Sequence, residues 1–225
     1  MNQDYRYEIK FVLDNAKLSH CMKWLLYQTS AIRAFDTRIV NSIYFDDLSY
    51  SSVRDNLAGI SDRNKFRLRW YGNGDDEGPL FEIKSRNGRL GAKNIYHIKS
   101  LKKNILSENF DYITGECFKE LERQNIIFDK YLAPTLQVKY EREYFETFNG
   151  IRITIDQEIC FSDIQLYSKI NENNKYTYPL KVMEIKFDPR IKDAVTDLIR
   201  PLNLTPRRHS KYLIGLSMLG YTKYI

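Results

Sequence analysis

In the segment Arg63-Asn64-Lys65-Phe66-Arg67-Leu68-Arg69-Trp70 every odd position is a cation, and Phe66, Leu68 and Trp70 share the other parity. Successive side chains of a β-strand point to opposite faces, so Lys65, Arg67 and Arg69 stand in one row. The same alternation of charge recurs in Arg6-Tyr7-Glu8-Ile9-Lys10, Glu82-Ile83-Lys84, Arg152-Ile153-Thr154-Ile155-Asp156 and Glu184-Ile185-Lys186. A single such segment is an ordinary half-buried strand with its polar row in water. Five of them, each mixing cations with a nearby carboxylate, point to a closed sheet with a charged interior suited to a polyanion.

The energetics support a ligand. An unpaired ion in a dry core costs several kcal/mol, out of scale with a domain stable by about 5–15 kcal/mol. Glu8, Glu82, Asp156 and Glu184 neutralise only part of the row formed by Lys10, Lys65, Arg67, Arg69, Lys84, Arg152 and Lys186. The surplus must meet solvent or an anion. Arginine forks bind two phosphoryl oxygens at once, and lysine supplies a compact charge. A carboxylate among these cations serves an anion site when it holds a divalent metal that bridges to phosphate oxygens. Phosphoryl transfer needs mainly positioning and charge stabilisation, which such a set supplies. No competing nucleophile motif occurs, and His20, His97 and His209 are not at metal-ligand spacing.

The elements that must position these side chains read as α+β. Strands are expected over 4–12, 38–46, 62–71, 79–85, 91–100, 135–145, 150–156 and 179–188, from their alternation and their β-branched and aromatic content. Asp14 is placed to cap a helix that runs to about Tyr27, with Leu18, Cys21, Met22 and Leu25 on its packed face. Further helices are expected over 108–124, 190–200 and 210–220, and a turn-rich segment ends at Gly59. The loop Gly72 to Gly78 joins two strands and lacks the G-x-x-x-x-G-K-[ST] pattern, so it reads as a hairpin tip rather than a phosphate cradle.

Composition sets the outer bounds. With 225 residues and 43% hydrophobic content, the chain reads as one domain, 1–225, with a sizeable core. Its 17 Tyr and 12 Phe favour strands. A net charge of +6 is consistent with an anionic partner. Cys21, Cys117 and Cys160 are odd in number and far apart, which argues against a disulfide framework or structural zinc and for a reducing compartment. Met1 to Arg6 has no apolar run, and Tyr212 to Leu219 is too short to span a bilayer. The expectation is a cytoplasmic protein without a membrane span. Nucleic acid is not expected as a partner, because the cations follow strand parity without stacking aromatics beside them.

Taken in order, the fragments Tyr-Glu-Ile-Lys, Ser42-Ile43-Tyr44-Phe45-Asp46-Asp47, Phe66-Arg67-Leu68-Arg69-Trp70-Tyr71-Gly72 and Phe81-Glu82-Ile83-Lys84 lead into Lys139-Tyr140-Glu141-Arg142, Arg152-Ile153-Thr154-Ile155-Asp156, Met183-Glu184-Ile185-Lys186 and Ser210-Lys211-Tyr212. This set resembles the vacuolar transporter chaperone (VTC) domain, a polyphosphate polymerase branch of the triphosphate tunnel metalloenzymes. The resemblance implies an eight-stranded antiparallel β tunnel barrel with peripheral helices, which moves the terminal phosphoryl of ATP to a growing polyphosphate chain. It implies that Lys10, Arg67, Arg69 and Lys84 grip the triphosphate and the reacting phosphoryl, and that Glu184 holds Mn²⁺ or Mg²⁺. Lys93, Tyr140, Arg142, Arg152, Lys186, Arg208, Ser210 and Lys211 would bind substrate or line the product path. Related cyclases and triphosphatases begin with E-x-E-x-K; Arg6 stands at the first of those positions here, which favours the polymerase branch. A tunnel triphosphatase and a non-catalytic polyphosphate sensor are the alternatives, and moving polymer through a membrane would need a separate membrane partner.

Overall fold

The structure is a computed structural model and describes residues 6–72, 74, 78–87, 90–102, 105–170 and 174–223. The N-terminal five residues and most of the expected hairpin tip, Asn73 and Asp75 to Glu77, lie outside the described residues. The strands are β1 (Tyr7–Leu13), β2 (Ile32–Asp46), β3 (Arg63–Tyr71), β4 (Leu80–Asn87), β5 (Leu90–His97), β6 (Ala133–Glu146), β7 (Arg152–Ser162), β8 (Lys175–Thr177) and β9 (Lys181–Phe187). The helices are α1 (Asn15–Gln28), α2 (Ser51–Leu57), α3 (Phe110–Arg123), α4 (Lys192–Ile199) and α5 (Lys211–Met218). Hydrogen bonding orders the strands β1-β9-β7-β6-β2-β3-β4-β5, with the short β8 beside β7. Eight of the nine strands follow this path, and an antiparallel sheet with peripheral helices is the architecture expected from the sequence.

Three local readings needed correction. The segment before Gly59, expected to be turn-rich, contains a helix, α2. Tyr50 enters it in the left-handed region at φ 53°, and the Asp47 carboxylate accepts from the Ser51 amide at 3.0 Å. β2 begins six residues earlier than expected, in a stretch whose exposed, mixed residues carry no alternation. β8 is only three residues long, too short for a periodic signal.

The chain divides into two compact units, each drawn from three stretches. The first comprises 1–39, 140–159 and 177–210, the second 40–139, 160–176 and 211–225. In the first unit α1 starts where the sequence placed it: the Asp14 carboxylate accepts from the Lys17 amide at 2.8 Å. Cys21, Trp24 and Leu25 of α1 then bury against Phe11 and Leu13 of β1 and Met183, Ile185 and Phe187 of β9. The Trp24 indole donates to the Leu198 carbonyl at 2.9 Å, which ties α1 to α4.

In the second unit α3 covers the apolar parity of β3 and β4. Phe66, Leu68, Trp70 and Phe81 share one core with Ile113, Cys117 and Leu121. Covering the apolar face of β3 leaves the opposite row, Arg67 and Arg69, on the other face of the strand. Gly215 lets α5 approach closely, since a β-carbon there would lie 2.6 Å from Leu136 and from Phe161 side-chain atoms. All three cysteines are free thiols, and burial pushes the Cys21 thiol up to about 11. Among the described residues no helix is long and apolar enough to cross a membrane.

Candidate functional site

Strand pairing in the second unit brings the expected cations together. Across β3, β4 and β5 the register aligns Arg67 with Glu82, then Lys65 with Lys84 and Lys84 with Lys93, then Arg63 with Arg86. Aligned partners share a face, and steps of two residues along a strand advance about 6.6 Å. The shared face of these three strands therefore carries Arg63, Lys65, Arg67, Arg69, Lys84, Arg86 and Lys93. That is seven cations against one carboxylate, Glu82.

Burial grades along this face. Arg67 and Arg69 are 8% and 6% exposed, while Lys65 and Lys84 are half-buried and Arg86 is exposed. Glu82 is buried and accepts from the Arg67 guanidinium, and Lys93 Nζ lies 2.5 Å from its other oxygen. Burial favours the neutral acid at Glu82, but Arg67, Arg69 and Lys93 outweigh it and hold the carboxyl well below its ordinary range. Lys93 shifts downward: burial lowers it, and Arg67 and Arg69 add to the effect against the pull of Glu82. Arg69 donates to Ser42 Oγ at 3.3 Å and Arg67 to the Tyr44 hydroxyl at 3.4 Å, both from the neighbouring β2.

The first unit gathers the remaining charges, and here they are balanced. The β1–β9 register sets Glu8 opposite Lys186 and Lys10 opposite Glu184. Lys10 Nζ lies 2.6 Å from Glu8 and 3.5 Å from Glu184, while Lys186 Nζ lies 2.6 Å from Glu184 and 3.6 Å from Glu8. Burial opposes the charge on Lys10, yet Glu184 and Glu8 raise its pKa. Burial likewise favours a neutral Glu184, and Lys186, Lys10 and Arg142 overcome it to hold the carboxyl well below 4.5. On β6, Arg142 grips Asp156 of β7 with two bonds of 2.5 and 2.8 Å, and its guanidinium lies 5.2 Å from the centre of the Tyr140 ring.

The other expected residues fall around these clusters. Arg152 is opposite Lys186 in register, but its side chain is 53% exposed and pairs with Glu146 at 3.2 Å. Arg208 is exposed on a segment whose neighbours are fixed to β1: the Arg207 amide donates to the Lys10 carbonyl at 2.9 Å, and Lys10 Nζ donates to the His209 carbonyl at 3.1 Å. Ser210 is half-buried at the end of that segment. Lys211 opens α5, close enough to favour the ionised form of Tyr44.

The metal expectation can be tested on this donor set. Among the described residues no group of three or more His, Cys, Asp or Glu is arranged to hold an ion. Glu8 and Glu184 share Lys10 and Lys186; burial and the Glu184 charge oppose ionisation of Glu8, but the two lysines outweigh them and hold its carboxyl below the ordinary range. Two such carboxylates fit a magnesium-type ion, which keeps waters and takes phosphate oxygens as further ligands.

Sequence reasoning passed over Tyr44 and Ser42, which stand beside the buried arginines. Their signal was present: Ser42, Tyr44 and Asp46 form the polar parity of β2, with Ile43 and Phe45 on the apolar one.

Residues 5–220 match the VTC domain family, nearly the whole chain. The chain belongs to the VTC domain family. This VTC domain is 23% identical to Vacuolar transporter chaperone complex subunit 2 of Saccharomyces cerevisiae over an aligned length of 248, covering 86% of this chain and 30% of that protein. It thus spans less than a third of that curated relative. Solved structures share its fold. A Hippeastrum protein described as a candidate adenylyl cyclase with a dominant triphosphatase activity aligns at TM-score 0.55 and 13% identity, covering 94% of this chain and 95% of that one. A candidate adenylate cyclase from Vibrio parahaemolyticus aligns at TM-score 0.52 and 11% identity, covering 95% and 99%. A Pyrococcus horikoshii protein aligns at TM-score 0.50 and 17% identity, covering 94% and 99%. The VTC domain therefore shares its fold with these three proteins.

Proposed function

We propose that this VTC domain is a metal-dependent polyphosphate polymerase, which transfers the terminal phosphoryl of ATP to the end of a polyphosphate chain. The observation that carries the reading is the excess of cations on the β3–β5 face, seven for one carboxylate, with Arg67 and Arg69 buried. Such a face attracts a condensed phosphate far more strongly than a lone carboxylate or a neutral ligand. Arg67 and Arg69 are held by strand pairing and by Glu82 and Ser42, so their positions are set before a ligand arrives. Preorganised cations of this kind stabilise charge spread over phosphoryl oxygens without reorganising during the reaction. Lys84, Lys93 and Lys211 extend the grip on the same unit.

In the first unit Glu8 and Glu184 would hold Mn²⁺ or Mg²⁺, whose chemistry is to neutralise phosphate oxygens. Lys10 and Lys186 keep the two carboxylates ionised. The growing chain's terminal oxygen forms the new bond to phosphorus as the bond to the β-phosphate oxygen breaks, and ADP leaves. Family membership and the yeast relative, a subunit of a transporter chaperone complex, support this reading and a role beside a separate membrane partner.

The test is direct. Purified protein with ATP and Mn²⁺ should produce ADP and an acid-labile polymer that a polyphosphate-binding dye detects. Release of orthophosphate without polymer would instead favour a triphosphatase, the activity named for the Hippeastrum protein of the same fold. Polyphosphate binding without turnover would leave a sensor.

A further inference from the structure

Tyr44 occupies the point in the second unit where the cations converge. It is opposite Arg67 in the β2–β3 register and is buried at 7% exposure. Its ring stacks on that of Tyr212, with centroids 5.0 Å apart and planes at 11°. Tyr212 is itself fixed, because its hydroxyl donates to the buried Asp46 carboxylate at 2.9 Å. Asp46 Oδ1 also accepts from the Ser52 and Asp47 amides at 3.0 and 2.9 Å. On the backbone side, Thr135 Oγ1 donates to the Tyr44 carbonyl at 3.1 Å. The phenol is therefore held in one orientation by strand pairing, by the stack and by the anchored partner ring.

The hydroxyl's hydrogen bonding is half complete. A tyrosine hydroxyl carries one proton to donate and also accepts. Its oxygen accepts from Arg67 Nη1 at 3.4 Å. A guanidinium can only donate, so among the described residues the Tyr44 proton goes to no protein acceptor. A buried hydroxyl with an unused proton calls for an acceptor from outside the protein. The surroundings specify its charge: burial disfavours the ionised phenol, but Arg67, Arg69 and Lys211 together bring the pKa below the ordinary 10.0, which makes the hydroxyl a stronger donor.

We propose that Tyr44 is a phosphate-binding residue, its hydroxyl donating to a phosphoryl oxygen that Arg67 also holds. The inference rests on the phosphate-binding reading of the β3–β5 face. It assigns the tyrosine of the Ser42 to Asp47 fragment to the ligand and gives the Asp46–Tyr212 pair the task of aiming it. A tyrosine with only a packing role would be replaced by phenylalanine without consequence, since the stack and the burial survive the change.

Calorimetric titration with inorganic tripolyphosphate at low salt separates the cases, using wild type, Tyr44→Phe and Arg67→Ala. Loss of a hydrogen bond to a charged group predicts affinity about ten- to a hundredfold weaker in Tyr44→Phe, with the melting temperature within a few degrees of wild type. Tripolyphosphate binding in wild type that is lost in Arg67→Ala but equally tight in Tyr44→Phe would overturn this proposal alone. No binding by wild type would overturn both it and the reading of the face. Should Tyr44→Phe fail to fold, the ultraviolet difference spectrum of wild type on adding tripolyphosphate decides. A tyrosine perturbation supports the proposal, and a spectrum without one overturns it.

Discussion

The β3–β5 face and the β1–β9–β7 face are built from the same side chains to opposite effect. On the first, seven cations stand with one carboxylate, Glu82, on the shared face of three strands. On the second, with the adjoining end of β6, Lys10, Lys186, Arg142 and Arg152 are matched by Glu8, Glu184, Asp156 and Glu146. The second face is held by its own ion pairs; the first carries a surplus of positive charge. The difference shows that counting charged residues on strands is not enough, because register decides which of them cancel.

Substitutions can break or sharpen this contrast. The largest effect is expected on the balanced face. Arg142→Ala removes the two-bond partner of the fully buried Asp156 and should cost about 3–5 kcal/mol of stability, read as a lowered denaturation midpoint. On the cationic face the loss should appear in turnover: Arg67→Ala is expected to reduce polymer formation about 10²–10³-fold. Lys84→Ala, which leaves Glu82 paired, should reduce it with a smaller change in melting temperature. If Arg67→Ala were destabilised but fully active, the assignment of roles to the two faces would be reversed.

Acid should affect the balanced face next. Glu184 is held below 4.5 in the folded state, so it contributes stability that is fully present above that pH and lost as pH falls below it. Each unit of depression is worth about 1.4 kcal/mol. Stability measured by denaturant titration should therefore decline below pH 4.5 more steeply in wild type than in Glu184→Gln. The smallest effect belongs to the rim: the exposed Arg152–Glu146 pair should contribute under about 1 kcal/mol, and Arg152→Ala should leave the melting temperature nearly unchanged.

Much of this was legible in the chain because period-2 alternation survives without neighbours. The row at Arg67 and Arg69, the cap at Asp14 and the packed stripe of α1 all follow from local spacing. Partner choice does not. Nothing near Glu184 in sequence says that Lys10 and Glu8 will stand beside it, since that depends on a pairing between strands more than 170 residues apart. The helix α2 was missed because its start rests on Asp47, a side chain outside the helix, rather than on propensity. Tyr44 was missed because aromatic residues default to the core, and only its shared parity with Ser42 and Asp46 argued otherwise.

That long-range pairing also governs how the protein can be made. Lys10 takes a hydrogen bond partner 199 residues away, and Asp46 takes one 166 residues away. Topologies dominated by such contacts fold slowly. During synthesis at about 5–20 residues per second, β1 waits on the order of ten seconds or more before β9 exists to pair with it. Each compact unit is also threaded from three separate stretches, so no single cut of the chain yields either one whole. Dissecting the two faces must therefore rely on point substitutions, and a nascent chain carries β1 without its partner strand until β9 has emerged.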